Sequence, residues 1–144
     1  MSDNQSPMKM FTAGFSCAQI VASYCAEACG NDPKTARIAM GGFGGGMNCG
    51  EVCGAVSGAI YSLGVHCQHC EYDDFNSSEK VINMTNAFTK AFKDEYDTLL
   101  CKELAPEMDM SNCHKYIKRA KELAMELIER DEIEINNAHK SLLK

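Results

Sequence analysis

The chain has 144 residues, 14 Lys and Arg against 20 Asp and Glu, a net charge of −6, and 45% apolar residues. That length suits one domain, and the apolar share suffices for a core, so a disordered polymer is excluded. The acidic balance lacks any basic run and argues against nucleic-acid binding, which needs clustered Lys and Arg to displace counterions. Nine cysteines are an odd number, so they cannot all pair within one chain.

The polar start, Met1 to Pro7, carries Asp3 and lacks the basic n-region of a signal peptide. Residues 10–29 include Thr12, Ser16, Gln19, Ser23 and Glu27, too polar for a membrane span of roughly 20 apolar residues. No aliphatic residue stands three places before Cys17, against a lipoprotein-type cysteine. A soluble, cytoplasmic protein with reduced thiols is expected, and there a Cys-rich chain binds metal or does redox chemistry.

Helical spacing runs through the chain. Phe11, Phe15, Ala18, Val21, Ala22 and Cys25 recur at three and four residues, predicting a first helix over 9–29 that ends at Gly30-Asn31. Asp32-Pro33 caps and opens a short helix through Met40. The run Gly41 to Gly46, broken only by Phe43, reads as a flexible connector; no Lys-Ser/Thr follows it and no intact GxGxxG is present, so a phosphate-binding loop is not supported. Asn48 with Glu51 resembles a capping box for a helix from Cys49 to about Gly64.

Residues 66–77 are turn-rich. Ser77 or Ser78 then opens a helix to about Cys101, with Val81, Ile82, Met84, Phe88, Phe92, Tyr96 and Leu99 inward. After Pro106, Ser111 or Asn112 starts a last helix to about 138, with Ile117, Ala120, Leu123, Ala124, Leu127 and Ile128 as its apolar stripe. Its charges read as a solvated face supported by pairs such as Lys118–Glu122, with docking on a partner helix as the alternative. The fold expected is an all-α bundle of about five helices: residues 1–8 a flexible N-terminus, 9–138 the Cys-rich redox domain, 139–144 a tail.

Gly50, Gly54 and Gly58 fall at i, i+4 and i+8. Each glycine inside a helix costs about 1 kcal/mol relative to Ala, so a close helix contact or room for a bulky group beside Cys53 is implied. Cys17 falls on the apolar side of the first helix, Cys101 closes the fourth, and Cys113 sits in the first turn of the last, where the helix dipole favours a lowered pKa. Any one of them alone reads as a small buried hydrophobe.

Phe15-Ser16-Cys17-Ala18-Gln19, the Gly-rich loop, Cys53-Gly54-Ala55-Val56-Ser57-Gly58-Ala59, Cys101 with Leu104, and Cys113 before an amphipathic helix follow one order over about residues 11–125. In that order the chain resembles the redox-active family labelled C_GCAxxG_C_C. The resemblance implies four recurrent cysteines, Cys17, Cys53, Cys101 and Cys113, and a redox role. Similar domains occur attached to c-type haem segments, but Glu71 follows Cys70 here, so no Cys-x-x-Cys-His and no covalent haem is expected.

Four thiolates suit an iron–sulfur cluster or zinc. The leading expectation is an iron–sulfur centre on Cys17, Cys53, Cys101 and Cys113, serving electron transfer or redox sensing in an anaerobe or other low-oxygen setting. Its redox partner protein is unknown, no nucleic acid or membrane partner is expected, and a homodimer is left open. The rivals are a metal-free thiol–disulfide oxidoreductase using Cys67/Cys70 or Cys17/Cys53, and a zinc-stabilised interaction module. Cys25, Cys29, Cys49, Cys67 and Cys70 lie outside the four; the pairs Cys25/Cys29 and Cys49/Cys53 are spaced to share a helix face. His66-Cys67-Gln68-His69-Cys70 is the most reactive-looking local run, whereas His114 and His139 read as surface residues. No Ser-His-Asp set or paired carboxylates support hydrolysis.

Overall fold

The computed structural model describes residues 5–143. Seven α-helices follow one another: α1 (Pro7–Thr12), α2 (Cys17–Ala28), α3 (Pro33–Ala39), α4 (Gly54–Cys67), α5 (Phe75–Tyr96), α6 (Cys101–Leu104) and α7 (Cys113–Leu142). Among the described residues the only β pairing is an isolated antiparallel bridge between Val52 and Leu100. The chain is an all-α bundle in which five helices reach seven residues or more. Residues 1–4, half of the expected N-terminal segment, and Lys144 lie outside the described residues.

The expected first helix is in fact two. Gly14 takes φ +103°, which breaks the run, and Ser16 starts afresh with a complete capping box. Its hydroxyl accepts from Gln19 N–H at 3.3 Å and the Gln19 side chain accepts from Ser16 N–H at 3.0 Å. Cys17 therefore occupies the first position of α2 rather than a mid-helix face. Asp32 caps α3 by accepting from Lys34 N–H at 3.1 Å, and Pro33 occupies the first turn, as its sequence indicates.

The expected helix from Cys49 begins only at Gly54, because Gly45, Gly46, Met47 and Asn48 all hold φ near +60°. Four successive left-handed residues cannot continue a right-handed helix, and Met47 and Asn48 adopt that region at a cost of roughly 1–2 kcal/mol per residue. The Gly-rich run thus forms a defined left-handed turn in place of the expected connector. Further on, Asp74 caps α5 through Ser77 N–H at 3.1 Å, and α5 stops at Tyr96 where Asp97 turns left-handed. Ile82, expected inside, is exposed, whereas Met84, Phe88 and Phe92 are buried. The last helix continues past 138 to Leu142.

The core sits between α2, α4, α5 and α7. Ile20, Val21 and Cys25 of α2 meet Val56, Ala59 and Leu63 of α4, with Phe88 and Phe92 of α5 and Ile117, Ala120, Ala124 and Ile128 of α7 closing over them. Ala36 and Met40 pack the α3 side of α2 against Ala18 and Ala22. On the outer face of α7, Arg119 binds Glu95 at 2.7 Å and Glu122 at 3.4 Å, so Arg119 rather than Lys118 organises the charged face.

Small residues bring α2 and α4 together. A Cβ on Gly58 would lie 2.5 Å from the Ala18 carbonyl oxygen and 3.2 Å from Ala22 N, inside atoms of the α2 backbone. Close helix contact accounts for Gly58, and Gly50 lies outside the helix altogether. Gly58→Ala is expected to destabilise the protein by several kcal/mol as an overpacked backbone contact. Gly64→Ala, with nothing within 4 Å of its Cβ, is expected to stabilise it by about 0.5–1 kcal/mol. Urea denaturation of the two variants reads both signs.

Candidate redox site

The four cysteines singled out above lie at helix starts. Cys17 is the first residue of α2, Cys101 of α6 and Cys113 of α7, and Cys53 is the residue from which α4 begins. All four are buried, and none of the nine cysteines forms a disulfide. The expected position of Cys101 at the end of a long helix is replaced by its own short helix, entered from an extended Leu100.

Backbone geometry joins two of them directly. Cys53 N–H donates to Leu99 C=O at 2.7 Å and Cys101 N–H to Glu51 C=O at 2.6 Å, the two bonds that flank the Val52–Leu100 bridge. Gly46 fits beneath this bridge: a Cβ there would stand 2.6 Å from Glu51 N and 2.8 Å from Cys101 Cβ. A Cβ on Gly54 would lie 2.6 Å from Cys17 Sγ, so α4 opens against the sulfur of α2.

Electrostatics ties the four into one group. The Cys17 thiol is lowered to about 6, chiefly by its pairing with the Cys53 side chain, burial opposing it and backbone N–H groups of Gly45, Ala18 and Cys17 itself assisting. Cys53 is pushed up by the same pairing with Cys17, by burial and by the adjacent Cys17 charge. Cys101 is raised by burial and by Cys17. Cys113 is raised to about 11 by burial, then by Cys17, Cys101 and Asp109. The expectation that its helix-start position would lower Cys113 is therefore overturned: burial and a neighbouring thiolate outweigh the dipole. The pocket accommodates one thiolate readily, and each further one requires compensating positive charge.

Tyr116, one turn after Cys113, backs the group. Its hydroxyl donates to Leu104 C=O at 3.2 Å, and after burial the charges of Cys53 and Cys113 raise it. Its ring meets Tyr96 edge-on at 5.0 Å and Phe92 at 6.3 Å. Sequence reasoning passed over Tyr116; its place three residues after Cys113, on the inner face of α7, was the available signal.

The other cysteines do not join this group. Cys67 closes α4 and donates to Met84 sulfur at 3.6 Å, whereas Cys70 is exposed beside Glu71. Cys25 is buried near Ser62, and its thiol is raised to about 11, mainly by burial. Cys29 is exposed at the end of α2. Cys49 is exposed on the left-handed turn, outside any helix shared with Cys53, and donates to Gly46 C=O at 3.5 Å. Among the described residues no three His, Cys, Asp or Glu groups are gathered closely enough to hold a single metal ion. A mononuclear zinc–thiolate site has Zn–S near 2.3 Å, hence sulfurs about 3.8 Å apart, and the four sulfurs are not drawn together to that extent.

A model of the family described as "Putative redox-active protein (C_GCAxxG_C_C)" matches residues 15–127, from just before Cys17 to the middle of α7. The chain belongs to this family. No curated protein and no solved structure matches it. Among the described residues no helix is long and apolar enough to cross a membrane.

Beyond the thiols, a cavity of about 520 Å³ lies between α2, α3, α4 and α7, with Cys25, Cys29 and His66 in its wall. His66 Nε2 donates to Asp131 Oδ2 at 2.8 Å, and Lys80 Nζ donates to the same oxygen at 3.2 Å. His114 is half-buried, tilted against the Phe11 ring at 5.8 Å, whereas His139 is exposed.

Burial alone would raise the Asp131 carboxyl, but the bonds from His66 and Lys80 overcome it and hold it below the usual carboxylate range. A depressed carboxyl contributes stability above its unfolded pKa of about 3.9, and the contribution disappears as pH falls through the folded value. Asp131→Asn is expected to cost roughly 1 kcal/mol at neutral pH, the exposed Lys80 contributing little of it. The gap to wild type should close on acidification, as read by urea midpoints across pH.

Proposed function

We propose that the Cys17, Cys53, Cys101 and Cys113 pocket is the redox centre of this protein and that these cysteines ligate an iron–sulfur cluster used for electron transfer or redox sensing. The observation that carries the reading is that four buried cysteines each stand at the start of a different helix, Cys53 and Cys101 flanking the Val52–Leu100 bridge and the start of α4 lying against Cys17 sulfur. A cluster spreads its thiolate ligands over several irons, so it does not require the tight packing of a mononuclear site. Bound there, it would supply one-electron chemistry and the positive charge that several thiolates require.

The protein's own contribution is electrostatic and steric. Gly45 and Ala18 direct N–H groups at Cys17 sulfur, and the opening turns of α2, α4 and α7 present further N–H dipoles to negative charge. Tyr116, Phe92 and Leu104 keep water from the inner side. With four cysteine ligands no protein-ligand position stays open, which suits an electron carrier or sensor better than substrate turnover. A cytoplasmic, low-oxygen setting accords with this chemistry.

A second reading is favoured by the pairing of the Cys17 and Cys53 side chains, which lowers the Cys17 thiol and raises that of Cys53. Cys17 thiolate would attack a substrate disulfide and release one thiolate; Cys53, losing its proton, would then attack the mixed disulfide at Cys17, leaving a Cys17–Cys53 disulfide and a second released thiolate. Burial decides against giving this reading first place. Cys17 and Cys53 are 5% and 6% exposed, so a disulfide cannot approach their sulfurs without displacing the left-handed turn, whereas an electron needs no such access.

Protein purified without oxygen should carry iron and acid-labile sulfide in near-equal amounts with a brown, dithionite-bleachable spectrum. Cys53→Ala should lose most of both while keeping its helical circular dichroism, and the Cys67→Ala/Cys70→Ala double variant should keep them. Zinc alone would make this a structural module. No metal after reconstitution, with a two-electron thiol couple abolished by Cys53→Ala, would leave the dithiol reading in its place.

A further inference from the structure

The family match stops at Leu127, yet α7 runs on to Leu142. From Glu132 to Leu143 every residue is exposed; Glu132 and Glu134 still border grooves against α4 and α5, and from Ile135 onward about two turns of helix are exposed at every residue. The departure point is fixed: Ile128 is the last buried residue of α7, and Asp131 is held by His66 and Lys80 at the bundle's edge.

The face that leads out is the one that packs within. Ile128, Ile135 and Leu142 stand seven residues apart, with Ala124 and Ala138 each four before the next member, so the core-facing stripe of α7 continues into solvent. Ile135 is 48% exposed and Leu142 85% exposed. Charge on the extension is divided. Residues 129–134 carry Glu129, Asp131, Glu132 and Glu134 against Arg130 alone, whereas residues 135–143 carry Lys140 and His139 and no acid.

This polarity selects the occupant. Two copies of the extension laid parallel would set acid against acid. Laid antiparallel and crossing near Ala138, they set the acidic half of each against the basic half of the other, while Ile135 and Leu142 close over the small Ala138. The bundles then lie at opposite ends, clear of each other.

We propose that the α7 extension is a self-association surface, through which a second copy of this chain pairs antiparallel along the Ile135–Ala138–Leu142 stripe. Cys113 and Ala138 lie 25 residues apart on α7, about 37 Å, so the two redox pockets remain at the far poles of the dimer, each open to its own partner. The contact is short and predicts a reversible, concentration-dependent dimer rather than an obligate one.

Sedimentation velocity of the full chain over a range of concentrations tests it. Wild type should shift from monomer toward dimer, and an Ile135→Glu/Leu142→Glu variant should raise the dissociation constant at least roughly a hundredfold. Lys140→Glu should weaken pairing, and mixing it with Glu134→Lys should restore it through a mixed dimer. Helical circular dichroism should be unaltered in these variants, since they change only exposed side chains. A wild type that is monomeric throughout overturns the proposal, as does a dimer that survives the double substitution. Weakening by Ile135→Glu/Leu142→Glu without rescue in the charge-swapped mixture overturns the antiparallel arrangement.

Discussion

The molecule depends on the near contact of two helix backbones. Where α4 crosses α2, Gly54 and Gly58 leave no side chain between them, and the Ala18 carbonyl and Cys17 sulfur occupy the space where a Cβ would stand. This contact places the start of α4 against the start of α2, and with it Cys53 against Cys17. The bridge at Val52 and Leu100 then brings in Cys101, and α7, packed across both helices, presents Cys113. Gly58, inside α4, is unfavourable for its own helix by about 1 kcal/mol, an expense that is sensible only if the approach itself is required.

Once assembled, the pocket faces a problem of charge. Buried thiols resist ionisation, and every thiolate raises its neighbours. The fold meets this partly by arranging all four sulfurs at helix starts and by aiming the Gly45 N–H at Cys17. The left-handed turn follows from that demand: Gly45 must direct its N–H inward while Gly46 passes under Cys101, and positive φ at both positions achieves this. The strain at Met47 and Asn48 is carried by the same loop, beside the sulfurs it serves.

Much of this was legible in the residues. Apolar spacing marked the helical class, Asp32-Pro33 marked the start of α3, and the order of the four cysteines pointed to the family. The boundaries that define the site were harder. Phe11 and Phe15 keep helical spacing across the break at Gly14, so periodicity alone joins α1 to α2; the Ser16 and Gln19 capping pair was the local cue that competes with it. Asn48 and Glu51 resemble a capping pair, but the left-handed run that holds Asn48 is fixed by contacts to Cys101 and Glu51, which are tertiary. Cys113 shows the same limit for electrostatics: its helix position is local and readable, while the burial that reverses the effect, and the Cys17 charge 96 positions earlier that adds to it, are tertiary.

The two ends of α7 divide the labour of the chain. At its start the helix is committed to the buried pocket, with Cys113 and Tyr116 pointing toward charge that must be kept from water. At its far end the same apolar stripe has nothing of its own chain to cover. A rigid helix can serve both ends because its stripe repeats along the axis, whereas the pocket depends on single residues at single positions. Under the proposed pairing, changes at Ile135 or Leu142 would alter association without touching the four sulfurs.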